Sequence, residues 1–169
     1  MMETKMRLGG KFGQIHLAPA DSAAGAAVDL GDMPEWDLTD LFPGADSPEL
    51  AAALDQAETD AKAFETSYKC KFLEKGSDGA FLAAAIRDYE AASDLLGRIG
   101  TFAFLNYAGD QQDPERAKLF GDTQGKLTDI SNNFIFFELE LNQIPDDQLS
   151  VALQHDDLAR YKPWLDDLR

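Results

Sequence analysis

The segment at residues 130–141, ISNNFIFFELEL, is the most densely apolar part of the chain and decides the fold. One face of the helix that it predicts carries apolar residues at helical spacing, namely Phe134, Phe137 and Leu141. Much of the remaining circumference is also apolar, through Ile135, Phe136 and Leu139. A helix that is apolar nearly all round is buried on more than one side. The segment therefore needs partners on two sides, and this chain has few elements long enough to supply them.

The first candidate neighbour is a helix that begins at Ser47-Pro48-Glu49. Serine can accept a hydrogen bond from a free backbone N–H, proline suits the first helical position, and glutamate favours the positive end of the helix dipole. A single apolar stripe then repeats every three or four residues, through Leu50, Leu54, Ala57, Ala61, Phe64 and Tyr68. The pattern predicts one helix that ends at or just before Gly76.

A second helix is predicted from residue 79 to residue 108, with Asp78 as its N-cap. Thirty residues at 1.5 Å each give a length of about 45 Å. Its inward stripe comprises Leu82, Ile86, Tyr89, Leu96, Ile99 and Phe102 or Ala103. Gly97 and Gly100 each cost about 1 kcal/mol relative to alanine in a helix, so they predict a close crossing or a bend.

The third helix is predicted to begin at Asp113-Pro114-Glu115 and to run without interruption through Leu141. Its stripe comprises Leu119, Thr123, Leu127, Ile130, Phe134, Phe137 and Leu141. The loop at residues 109–112 is short, which makes the second and third helices antiparallel neighbours. Apolar and glutamate residues alternate at 137–141 as in a strand, but the long upstream spacing favours a helix.

Shorter elements flank these three helices. After Pro145, short helices are predicted over Leu149 and Leu153, over Leu158 and Tyr161, and around Pro163. Before the first helix, PEWDLTDLFPG at residues 34–44 predicts an irregular clasp over the bundle, formed by Trp36, Leu38, Leu41 and Phe42. Residues 1–33 are rich in glycine and alanine, which predicts a flexible or loosely packed arm. The predicted fold is all-α: an antiparallel bundle of long helices with short C-terminal helices and an irregular N-terminal arm.

The charge distribution bounds the possible partners. The formal net charge is −16, and residues 12–61 hold eleven acidic residues without a lysine or arginine. Such a surface repels nucleic acid, whereas it is compatible with a solvated face or with docking of a basic partner. No run approaches the roughly 18 apolar residues of a membrane span, so no membrane partner is expected. The lone Cys70 and the missing signal peptide predict a cytoplasmic protein.

No constellation of residues predicts catalysis, and no catalytic, cofactor-binding or metal-binding residue is assigned in this chain. His16 and His155 are far apart and lack the HExxH spacing of zinc hydrolases. Cys70 lies between Lys69 and Lys71 but has no nearby histidine in sequence to act as a base. Glu138 and Glu140 point to different helix faces, which favours solvated or cap-bonded acids over a paired-carboxylate site.

Five segments, in this order, carry a resemblance to a known family. They are PEWDLTDLFP, AFETSYKCKF, LLGRIGTFAFLNYAGDQQDPERAKLFGD, FFELELNQI and LARYKPWLDDLR. Together they resemble the N-terminal region of oligoendopeptidase F, a zinc metallopeptidase family related to thimet oligopeptidase. The resemblance covers about residues 35–169, and it divides the chain into an arm at 1–33 and a helical N-terminal domain at 34–169.

The resemblance implies that this chain is a non-catalytic domain of a hydrolase. The full-length protein would be a protease that cuts short peptides, with zinc held by an HExxH motif on a later domain. This domain would form part of a channel wall that restricts substrate access. Its partners would be the remainder of its own chain and, in the full-length protein, oligopeptide substrates. The abrupt end at Arg169 is then interpreted as a cut. A missing domain would cover the second apolar side of the helix from Phe134 to Leu141, so this side is expected to be exposed here. The isolated fragment is expected to self-associate through this helix and the second helix. The alternatives are a free-standing acidic helical interaction module and, more remotely, a thiol enzyme using Cys70.

Overall fold

The computed structural model describes residues 35–168, and all regular elements in this range are helical. The predicted all-α fold is confirmed, while the arm predicted at residues 1–33 lies outside the described range. The α-helices are α1 (Pro48–Tyr68), α2 (Phe72–Lys75), α3 (Gly79–Gly109), α4 (Pro114–Ser131), α5 (Ile135–Leu141), α6 (Asp146–Ala152) and α7 (Lys162–Leu168). Turns of 3-10 helix span Asn132–Phe134 and Asp156–Tyr161. No helix between residues 35 and 168 has the length and apolar character that crossing a membrane requires.

The three long helices begin at the capping residues that the sequence predicts. The Ser47 hydroxyl accepts a bond from the N–H of Leu50 at 3.2 Å, and the Asp78 carboxylate accepts one from the N–H of Phe81 at 3.1 Å. Asp113 accepts bonds from two successive backbone N–H groups at the start of α4. Each such cap is worth about 1 kcal/mol. The antiparallel pairing of α3 and α4 is also present, since α3 packs along both α4 and α1.

The single helix predicted to reach Gly76 is wrong, because the chain breaks between α1 and α2. Cys70 lies in the left-handed region with φ of 63°. Its backbone N–H donates to both carboxylate oxygens of Glu140, each at 2.9 Å. The break redirects the chain so that Phe72 is completely buried in α2. A contact from a residue seventy positions away in sequence therefore supports the left-handed turn.

The uninterrupted third helix is also wrong, because the 3-10 turn Asn132–Phe134 separates α4 from α5. The Asn133 side-chain amide donates to the carbonyl oxygen of Ile130 at 2.9 Å. Asparagine side chains that bond nearby backbone groups compete with regular α-helical bonding. The helical interpretation of residues 137–141 is nevertheless confirmed, since they lie within α5.

The core is an aromatic cluster between α1, α3 and α5. The Phe64 ring lies 4.8–6.1 Å, centroid to centroid, from five other rings, those of Tyr68, Tyr89, Phe134, Phe136 and Phe137. Phe137 is completely buried, and the Trp164 ring of α7 lies 6.4 Å from it. Tilted and edge-on aromatic pairs add to the free energy of burial, at about 0.5–1.5 kcal/mol per pair. This cluster fixes α5 on the bundle.

The two glycines of α3 have different surroundings. A Cβ added to Gly100 would lie 3.2 Å from the Cδ1 atom of Leu127, so α4 approaches α3 closely at this point. A Cβ added to Gly97 would meet nothing within 4 Å. The close crossing predicted from these glycines is therefore present at Gly100 and absent at Gly97.

The clasp at residues 35–44 covers the bundle through Phe42 and not through Trp36. Phe42 is buried, its ring is 5.4 Å from that of Phe102, and the Arg98 guanidinium lies 4.7 Å from its centroid. Trp36 is 63% exposed. It precedes the turn that Asp37 stabilises by accepting bonds from Thr39, whereas Phe42 follows that turn.

Candidate interaction groove

An open apolar groove of about 500 Å³ lies between α3 and the junction of α4 with α5. We call it the α3–α5 groove. It is lined by Tyr89, Ser93 and Leu96 of α3 and by Ser131, Phe134, Ile135, Glu138 and Leu139. Its lining is mostly apolar, and it is open to solvent.

Helical periodicity explains how the chain builds this groove. Tyr89, Ser93 and Leu96 are four and three residues apart, so they share one face of α3. On α5, Ile135 and Leu139 are four residues apart and share a face in the same way. Because α3 and α5 both pack against the aromatic cluster, these two faces lie side by side. Phe134 forms the floor between them.

Within the described part of the chain the 130–141 segment is covered on one side only, and the expected exposure of its second apolar side is confirmed. Ile135 is 60% exposed and Leu139 is 59% exposed. Phe134 and Phe137 are buried on the opposite side of the same segment. The aromatic cluster occupies one side only, and the outer side of α5 is left in contact with solvent.

One carboxylate gives the groove its polarity. The Tyr89 hydroxyl donates to Glu138 Oε1 at 3.4 Å. Burial raises the pKa of Tyr89, and the negative charge of Glu138 raises it further. Among the described residues that line the groove, Glu138 is the charged one and no lysine or arginine is present. The groove therefore combines an apolar surface with a single negative charge.

The residues considered for chemistry on sequence grounds do not form a site. His155 accepts a bond from the N–H of Asp157 at 3.4 Å and caps the 3-10 turn Asp156–Tyr161, whereas His16 lies outside the described range. Cys70 is exposed at the break between α1 and α2. Within residues 35–168, no group of three or more histidine, cysteine, aspartate or glutamate side chains is arranged to hold a metal ion.

A second, smaller depression of about 230 Å³ lies between α1 and α4. Its lining is mixed in charge and comprises Leu54, Asp55, Glu58, Lys62, Lys126, Asp129, Ile130 and Asn133. Lys62 forms an ion pair with Glu58 across one turn of α1. Because its charges pair with one another and its volume is less than half that of the α3–α5 groove, it is the weaker candidate for a binding site.

The sequence indicated some of the groove residues but not their role. Tyr89 and Leu96 were assigned to the inward stripe of the second helix, and both are only partly buried. Ser93 and Ser131 carried no signal, since isolated serines occur on any helix surface. Of the two acids that the sequence left as solvated or cap-bonded, Glu140 accepts the backbone N–H of Cys70 in the turn between α1 and α2, and Glu138 lines the groove.

Comparisons of the chain with models of protein families, with curated proteins and with solved structures find no match. The resemblance to oligoendopeptidase F therefore stays a prediction from the sequence.

Proposed function

We propose that this chain is a non-catalytic helical domain of a zinc metalloendopeptidase of the oligoendopeptidase F type. In this proposal it packs against the remainder of its own peptidase chain through the α3–α5 groove and forms part of the wall of a channel that admits short peptides. The proposal is supported by the five sequence segments described above and by the exposed apolar side of α5.

The exposure of Ile135 and Leu139 is the observation on which the proposal depends. Both are large aliphatic side chains, they lie one turn apart, and they border an apolar groove. Single exposed apolar residues are ordinary, but a contiguous apolar patch commonly marks an interface. A second domain of the same chain is the partner that the family resemblance favours.

The proposal assigns a steric role to this domain and leaves the chemistry to another part of the protein. A metal-activated water attacks the peptide carbonyl in zinc peptidases, with a glutamate as general base. The described residues hold no set of side chains suited to zinc, so the proposal places the metal site outside them. The long helices α1, α3 and α4 would act as a rigid wall.

The first test is the intact mass of the protein purified from its native source. A mass several times 18.5 kDa, together with cleavage of quenched peptides that a zinc chelator abolishes, is the expected result. A mass near 18.5 kDa would overturn the proposal. It would instead favour the second candidate, a free-standing acidic module that binds a protein partner through the same groove.

A second test uses the isolated chain of 169 residues. With the groove uncovered, we expect weak self-association through the exposed side of α5, measured by sedimentation velocity at tens of micromolar. Two chains of net charge −16 repel each other, so added salt should strengthen this association by screening. A clean monomer at both low and high salt would contradict the expectation.

A further inference from the structure

We infer that the α3–α5 groove binds an amphipathic helix whose apolar face carries a lysine or arginine placed to reach Glu138. The inference deepens the proposed docking role of the groove and rests on it, since it names the chemistry of the segment that occupies the groove.

The shape of the groove matches the face of a helix. Tyr89 and Leu96 are seven residues apart on α3, which corresponds to about 10 Å along its axis. The exposed pair Ile135 and Leu139 forms the other wall, one turn in length. A groove between two helical walls, about two turns long, suits a partner helix with apolar residues at positions i, i+3 or i+4, and i+7.

The charge of the groove selects a basic partner. Glu138 is an exposed member of a mostly apolar lining, and one of its carboxylate oxygens accepts a bond of 3.4 Å from the Tyr89 hydroxyl. No described residue of the lining supplies a cation. An apolar helix laid over Glu138 would remove water from this carboxylate, which costs free energy unless the partner brings a positive charge. A lysine or arginine on the partner supplies that charge, and the net charge of −16 adds long-range attraction.

The same charges disfavour a second copy of this chain as the occupant. In a two-fold symmetric contact each groove meets the identical surface of the other copy. Two groove surfaces that each carry Glu138 and no cation among their described lining residues would then be paired, and two chains of net charge −16 would be brought together. A basic helix avoids both repulsions, so it should occupy the groove in preference to a second copy.

The test uses two labelled helical peptides of about 14 residues, or four turns. Both carry leucines at helical spacing, and they differ at one position of the apolar face, which is lysine in one peptide and glutamate in the other. Binding to the 169-residue chain is measured by fluorescence anisotropy at low salt. We expect the lysine peptide to bind about tenfold more tightly, which corresponds to about 1.4 kcal/mol, and raised salt to reduce this difference.

Variants of exposed residues test whether the preference for the lysine peptide arises at Glu138. Glu138→Gln should reduce the preference for the lysine peptide to about twofold or less, because a neutral amide no longer attracts the cation. Leu139→Ala should weaken both peptides equally, because it removes apolar contact area without changing charge. Glu58→Gln, in the depression between α1 and α4, is the matched control and should leave the preference unchanged. Circular dichroism confirms that each variant is folded.

Three results would overturn the inference. They are equal affinity for the two peptides, no binding of either peptide, and a stable dimer that the lysine peptide does not dissociate. The last result would assign the groove to a second copy of the chain. None of these results bears on the intact mass, so a large zinc-dependent peptidase with no peptide preference would retain the proposed function while the inference fails.

Discussion

On one side of α5 the side chains of Phe137 and Leu141 are completely buried, whereas on the other side Ile135 and Leu139 are more than half exposed. All four are large and apolar, and the four lie within one helix of seven residues. The inner side contributes to folding because the aromatic cluster covers it. The outer side is left in contact with solvent, so it contributes less to folding, and in the proposed function it binds a partner. Hydrophobicity alone therefore does not distinguish a residue that the fold buries from one that it leaves exposed.

The largest expected effect comes from the inner side of α5. Phe137→Ala removes a completely buried ring from the centre of the aromatic cluster, which should lower the free energy of unfolding by about 3–5 kcal/mol. Leu139→Ala, on the outer side, should change it by no more than about 0.5 kcal/mol. Urea denaturation followed by circular dichroism measures both variants under the same conditions. Similar losses in the two variants would abolish the distinction between the two sides.

A smaller effect is expected from the two acids of α5, which lie on different faces of the helix. Glu140 accepts the backbone N–H of Cys70 with both oxygens at 2.9 Å, while Glu138 receives one bond of 3.4 Å from Tyr89. Glu140→Ala should therefore lower the free energy of unfolding by about 1 kcal/mol. Glu138→Ala should lower it by about half of that or less. The reverse order in urea denaturation would show that the break at Cys70 does not depend on Glu140.

The two glycines of α3 allow a similar comparison between a crowded and an open position. Gly97→Ala adds a methyl group in open space and should raise the free energy of unfolding by up to about 1 kcal/mol, because alanine favours the helix. Gly100→Ala places its Cβ 3.2 Å from Leu127 and should gain less or lose stability. Thermal denaturation of the two variants tests this order. An equal gain at both positions would contradict the close approach of α4.

The smallest effect concerns alkaline pH, at the hydroxyl groups that border the aromatic cluster. Burial raises the pKa of Tyr68, as does its hydrogen bond to Asp88, and burial together with Glu138 raises the pKa of Tyr89. An unfolded tyrosine loses its proton near pH 10 while the folded one keeps it, so stability should fall as the pH rises above about 10.

The double variant Tyr68→Phe with Tyr89→Phe tests this pH dependence. Neither phenylalanine titrates, so the variant should lose less stability than the original chain between pH 9 and pH 11, measured by urea denaturation at each pH. Its absolute stability at pH 7 serves as the reference, which removes the effect of the lost hydroxyl bonds. If the free energy of unfolding falls equally with pH in the two proteins, these phenols do not cause the loss of stability at alkaline pH.

Local signals predicted the beginnings of the long helices and the pairing of α3 with α4. The caps at Ser47, Asp78 and Asp113 act within three residues of the chain, so a local sequence is sufficient to predict them. The break at Cys70 could not be predicted in this way. It depends on Glu140, which is seventy positions away in sequence, and a cysteine carries no general preference for a left-handed turn.

The groove was predicted only in part. The apolar character of the 130–141 segment indicated that it would need cover on more than one side, but not which side the described chain leaves uncovered. The turn at Asn132–Phe134 sets the orientation of α5 relative to α4, and that orientation places Ile135 and Leu139 beside Tyr89 and Leu96. Two residues on different helices cannot be assigned to one groove from periodicity alone.

By itself, the sequence determined the helical class, the starts of the long helices and the acidic charge, because these depend on local bonding and on composition. Tertiary structure alone decided where the helices break, which apolar side of α5 is buried and that Glu138 stands in an apolar groove. These features depend on contacts between residues far apart in the chain. The free energy of such contacts is determined by packing, which no local pattern specifies.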